Sequence, residues 1–193
     1  MSTMSTTVAE PAPCGASHTV VPTALDLPGR CRPAPRHRNV RGDGPSDLTI
    51  RGGPLGETWL RLYRPAGVPG PLPVIVHVHG GDAPFRDSDT QRLASRLAAE
   101  VGAAVILVDY SLAPTARVPI ALEEDYAAVR WAARHGAEHG LDGTRIAVSA
   151  DPSGMEHADE LMLVSDRRGG PKLSAHVLNS PGAAAVLRAA LAA

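Results

Sequence analysis

The sequence predicts an α/β protein built on a mostly parallel sheet, opened by an antiparallel hairpin and covered by helices on both faces. Three observations predict it. Short apolar runs recur along the chain, stretches of helical apolar spacing lie between them, and Gly, Pro or Asp punctuates most junctions. Strand, helix, strand in that alternation winds a parallel sheet, because each helix must carry the chain back to the start of the next strand.

Residues 1–45 stand apart. They mix Ser, Thr, Pro, Gly and Arg without an apolar period, and RCRPAPRHRNVR sets five arginines among prolines. Such a segment is expected to be a disordered basic tail, a solvated arm without the interleaved aromatics of a nucleic-acid binder. Residues 46–193 are expected to form the domain. Residues 47–51 (DLTIR) and 58–63 (TWLRLY) alternate as strands across a Gly/Pro turn. The apolar run 74–78 reads as a buried strand, as do 103–108 (AAVILV) and 145–149 (RIAVS), with 175–178 a weaker fourth, and the four are expected to be parallel.

Helices fill the gaps. Residues 90–101 space Leu93, Leu97 and Val101 by four, with Asp89 as N-cap and Gly102 as stop. Residues 120–135 align Leu122, Tyr126, Val129 and Ala133 and are expected to end at Gly136. Residues 155–165 put Met155, Ala158, Leu161 and Met162 on one face. The tail GAAAVLRAALAA is a helix-former.

Composition excludes several classes. The 193 residues are 44% hydrophobic and carry a formal charge of -1, so no net field draws the chain to nucleic acid. Only Cys14 and Cys31 occur, both in the tail, which indicates neither a disulfide framework nor a metal cluster. No run approaches the roughly 18 apolar residues that span a bilayer, and the start lacks the apolar core of a secretory signal. A soluble, cytoplasmic protein without cofactor, metal, nucleic-acid or membrane partner is the expectation. Aromatics are 3% of the chain, leaving Trp59, Tyr63, Phe85, Tyr110, Tyr126 and Trp131 as its bulky packing groups.

Four segments then share one likeness. PVIVHVHGGDAPFRDSDT from Pro73, VDYSLAP from Val108, IALEEDYAAVRWAARH from Ile120 and RIAVSADPSGM from Arg145 occur in order and at fitting separations. The chain resembles the hormone-sensitive-lipase-like (fold-3) esterases of the α/β-hydrolase superfamily, with their HGGG loop, VDYRLAP segment, following helix and GDSAGG nucleophile elbow. The resemblance implies a partial α/β-hydrolase fold and an acyl-transfer ancestry. In that chemistry an elbow serine attacks an ester carbonyl, a histidine takes its proton, and a carboxylate orients the histidine.

The site departs from that pattern. Aligned on Asp151 and Gly154, the nucleophile position is Pro152, which has no attacking atom, and the first elbow glycine is Ala150. A proline ring also holds φ near about -65°, whereas an elbow needs a strained backbone, so the turn should relax. An ordinary helix start accounts for these residues, with Asp151 capping, Pro152 at the first helical position and Ser153 with Glu156 as a capping box. Ser153 is the weak substitute nucleophile, and Ser149 is expected to bond locally within its strand. The oxyanion remnant would be Gly80, Gly81, Asp82 and the N–H of Ser153, with the Asp82 carboxylate opposing the charge that develops there.

His79 is expected to shape its loop, and His77, two residues earlier, to be hydrogen-bonded in a structural role. His79, Asp82, Asp151 and His157 match no metal-ligand spacing, and His157 and Asp159 read as polar faces of the third helix. In the family the acid and histidine follow later strands in D-P-L and H-G-F segments. Neither occurs after Pro181, and the family's cap has no counterpart in residues 1–45. Three readings follow: a degenerate or truncated esterase relative without independent catalysis, a pseudo-hydrolase binding a small acyl ligand or a partner protein, or an active carboxylesterase with an atypical site. The strand at 175–178 should form an open edge inviting self-association.

Overall fold

The computed structural model describes residues 45–80, 88–109 and 118–192. The tail expected over residues 1–45, both cysteines, Gly81, Asp82, Phe85 and Tyr110 lie outside them, except for residue 45. The elements run β1 (Ser46–Arg51), β2 (Glu57–Tyr63), β3 (Leu72–Val78), α1 (Ser88–Val101), β4 (Ala104–Val108), α2 (Val118–His135), β5 (Leu141–Ala150), α3 (Met155–Arg167), β6 (Leu173–Leu178) and α4 (Ala183–Ala192).

All six strands share one sheet in the order β1-β2-β4-β3-β5-β6. β1 pairs β2, and β2 pairs β4, antiparallel. β3 runs parallel to β4 and β5, and β5 parallel to β6, as the apolar runs predict. The central strands read as continuous apolar runs because both faces are covered. Val74, Val76, Val78, Ile106 and Val148 point to the side of Tyr126, Val129 and Leu161, on α2 and α3. Ile75, Val105, Leu107 and Ala147 point the other way, to Leu97 and Val101 of α1 and Leu187 and Leu191 of α4. Alternate residues of each strand thus feed two separate cores.

Several local expectations need correction. Asp89 is the second residue of α1 rather than its N-cap, and it pairs with Arg92 one turn on. α2 ends at His135, ahead of Gly136, as expected, but that glycine does not supply a left-handed stop. The chain tightens there into a 3-10 turn, Gly136–His139, and the left-handed stop is Gly140, with φ 67°. β5 starts four residues earlier than its apolar pattern, since Leu141 already pairs with Leu72 before a register shift. Gly102, at φ 73°, does end α1 as expected.

α4 is fastened by two hydrogen bonds in its C-terminal half. Arg188 donates to the Glu100 carbonyl, and Arg145 donates to the Leu191 carbonyl at 3.2 Å. Ala183, Leu187 and Leu191 are its buried residues, matching a spacing of four.

Candidate active site at the strand ends

The carboxyl ends of β3 and β5 lie side by side, with His77 in register with Ser149 and Val78 with Ala150. In a wound sheet this is where reactive groups gather, because the chain leaves each strand there into loops and helix starts. His77 and Ser149 fall on the α1/α4 side of the sheet and are both fully buried. His77 Nδ1 lies 2.8 Å from Ser149 Oγ, so each satisfies the other where water cannot reach. The structural role expected for His77 is confirmed. Ser149, however, bonds across to the next strand instead of within its own.

Asp151 follows at the end of β5. Its Oδ2 stands 3.6 Å from His77 Nε2, an electrostatic contact too long for a hydrogen bond. The interaction with His77 is the main influence holding the Asp151 carboxyl below its usual range, with Asn179 adding to it against the opposing effect of burial. Its side chain is 23% exposed whereas that of His77 is sealed. Ser149, His77 and Asp151 thus form a line of hydroxyl, imidazole and carboxylate. Its hydroxyl is buried, so the line positions groups and presents no nucleophile to a substrate.

His79 is buried as well. Its Nε2 donates to the Val108 carbonyl at 3.1 Å, and its Nδ1 lies 3.3 Å from the Gly80 carbonyl. It thus ties the end of β3 to the end of β4, while the loop it is expected to shape lies outside the described residues beyond Gly80. Gly80 is buried beside it. Gly81 and Asp82, the rest of the expected oxyanion remnant, lie outside the described residues.

At the elbow position the backbone is relaxed. Asp151 is extended, at φ -72° and ψ 162°, and Pro152–Gly154 form a 3-10 turn with Pro152 at its start. Among the described residues no non-glycine residue has a positive φ. The capping box does not form: Asp151 makes no side-chain cap, and the N-cap of α3 is Gly154, which has no side chain to offer. Backbone bonds serve instead, from Asp151 N–H to the Val78 carbonyl at 3.2 Å and from Gly154 N–H to the Asp151 carbonyl at 2.9 Å. Ser153 is exposed on this turn.

Gly154 is required by space. A Cβ there would come within 2.6 Å of the Val78 carbonyl oxygen, so only glycine lets α3 start against β3. His157 and Asp159 are not merely a polar face. His157 Nε2 lies 3.1 Å from Oδ2 of Asp125, a fully buried carboxylate on α2, and Asp159 Oδ1 lies 3.0 Å from His176 Nδ1 on β6. Burial lowers the His157 pKa, but the contact with and field of Asp125, with Glu160, outweigh it and leave the group raised. Among the described residues no three His, Cys, Asp or Glu side chains gather as a metal site, and no helix is long and apolar enough to cross a membrane.

Comparison with known proteins matches this arrangement to esterases. The family model described as alpha/beta hydrolase fold matches residues 75–192. Esterase LipI of Mycobacterium tuberculosis is 38% identical over 138 residues, covering 70% of this chain and 43% of that protein. Hormone-sensitive lipase of Bos taurus is 36% identical over 60% of this chain and 14% of its own length. The crystal structure of a thermostable esterase from Pseudomonas putida superposes with a TM-score of 0.62 at 35% identity, covering 68% of this chain and 41% of that one. The chain spans less than half the length of each.

Proposed function

The chain belongs to the alpha/beta hydrolase fold family, among hormone-sensitive-lipase-like esterases, and from that membership we propose that it is a degenerate member without serine-type ester hydrolysis of its own. The observation that carries this reading is Pro152, which stands in a relaxed 3-10 turn where the family places a strained nucleophile. The surroundings support it. The His79 ring lies against backbone carbonyls, and His77, bonded through Nδ1 to Ser149, keeps its unbonded Nε2 sealed from solvent, so neither ring is open to a hydroxyl on the exposed turn.

The test is covalent. A fluorophosphonate probe and a short-chain nitrophenyl ester incubated with the purified chain should give neither a stoichiometric adduct nor turnover above buffer. An adduct, or turnover lost in Ser153→Ala, overturns the reading in favour of an active carboxylesterase with an atypical site. Pro152→Ser alone should leave turnover at background, because a hydroxyl without a base gains no nucleophilicity.

A second reading, a non-catalytic binding protein, is favoured by one observation. β6 closes the sheet, pairs only with β5 among the described residues, and leaves Leu178 38% exposed. An edge of this kind accepts a strand from another chain. Self-association through β6 should appear as a dimer in light scattering, and a stable monomer at high concentration counts against it.

A further inference from the structure

Away from the strand ends, a cleft of about 520 Å³ lies between the β1–β2 turn and α2. Arg51, Arg130, Arg134, Arg168, Tyr126 and Trp131 line it, and none of them belongs to the strand-end site. Four arginines in one cleft is a concentration of charge that the chain, at a formal net -1, lacks as a whole. Glu123 is the carboxylate in the lining. Both of its oxygens are held by Arg168, at 2.6 and 2.8 Å, which also keeps Glu123 ionised by lowering its pKa. His135, at the rim, is 3.6 Å from Glu138.

The other three arginines are unmatched. Arg51, Arg130 and Arg134 have no carboxylate at ion-pair distance among the described residues, and Glu57, opposite Arg51 in the β1–β2 register, forms no ion pair with it. Arg130 and Arg134 sit one turn apart on α2, a like-charge spacing that a helix disfavours unless a counter-charge enters between them. The buried ring of Tyr126 positions part of the set, with the Arg130 and Arg168 guanidinium carbons 5.8 and 5.1 Å from its centre. Guanidinium forks suit oxyanions, which they grip through paired N–H bonds, and of the three unmatched ones Arg130 is positioned by the ring. The volume is that of a small-molecule site.

We propose that this cleft binds a small molecule carrying a multiply charged oxyanion, phosphate-type or polycarboxylate, through Arg51, Arg130 and Arg134. It goes beyond the reading of the strand-end site and does not depend on it.

The experiment titrates the full chain with inorganic pyrophosphate and, separately, citrate at constant ionic strength, followed by calorimetry and by the fluorescence of Trp131 in a Trp59→Phe background. Saturable binding of either anion is expected. Tighter pyrophosphate assigns the phosphate class, and tighter citrate assigns the carboxylate class. Arg130→Gln with Arg134→Gln, and Arg51→Gln on a different element, should each weaken binding by about tenfold per arginine removed. Should the double variant fail to fold, the Arg51→Gln titration decides alone. Absence of saturation by both anions up to about 10 mM, or unchanged affinity in the variants that fold, overturns the proposal.

Discussion

Two of the histidine–carboxylate pairs among the described residues, His77 with Asp151 and His157 with Asp125, are built in opposite senses. At the strand ends His77 is the sealed partner and Asp151 reaches solvent, whereas between α2 and α3 Asp125 is sealed and His157 reaches out, with 15% of its side chain exposed. An imidazole can be buried with one nitrogen bonded, as His77 is to Ser149. A carboxylate buried without another polar contact depends wholly on its partner's charge. Breaking the strand-end contact should therefore cost the fold less than breaking the interhelical one.

The largest effect should come from breaking the second pair. His157→Ala leaves Asp125 as an uncompensated buried charge and should cost about 3–5 kcal/mol in urea denaturation. Replacing both partners by leucine should restore the parent stability or exceed it, because the desolvation of two charges disappears with them. A double variant as unstable as the single one would show that packing, and not charge, is at issue.

Ser149→Ala probes the first pair. It strands a sealed imidazole nitrogen and should cost about 1–3 kcal/mol, with no effect on any residual ester turnover. A smaller cost would mean that the His77 ring finds another partner in its place.

The pH dependence sharpens the contrast. Folding raises the His157 pKa above its ordinary 6.5, so that contribution is complete below about 6.5 and fades as the pH climbs through the raised value. Folding lowers the Asp151 pKa below its ordinary 3.8, so that contribution is complete above 3.8 and is lost as the pH falls through the depressed value. Urea midpoints should decline from pH 6 to 8 in the parent, and this slope should flatten in the double leucine variant. The smallest effect belongs to Asp151→Asn, which at neutral pH should change stability by less than about 1 kcal/mol, since solvent screens that contact.

The fold was legible wherever a run of residues carried its own signal. VIVHV, AVILV and RIAVS announce central strands because burial on two faces leaves no room for polar alternation, and Gly102 announces a helix end by the backbone it permits. The start of β5 was not legible. Residues 141–144 fold back on themselves, with Thr144 N–H donating to Asp142 Oδ1 at 3.0 Å, and only pairing with distant Leu72 makes them a strand.

The candidate site divides in the same way. The vacancy at Pro152 can be read from the residue, but the helix start around it was misjudged because the close approach of Gly154 to Val78 decides the cap position. Nothing in the local run EED marks Asp125 as a buried charge. Its burial follows from α3 arriving 32 positions later with His157. The arginine cleft is hidden for the same reason, since its arginines come from β1, α2 and the end of α3.

The unstrained corner at position 152 bears on how such a protein changes over generations. Proline at the start of a helical turn narrows the unfolded ensemble and stabilises by about 0.4–1 kcal/mol, so reversion to serine would surrender that gain at once. A serine placed there would still stand in an unstrained turn. On the proposed reading, the single exchange back therefore costs stability without restoring the bend, and the relaxed corner resists its own reversal.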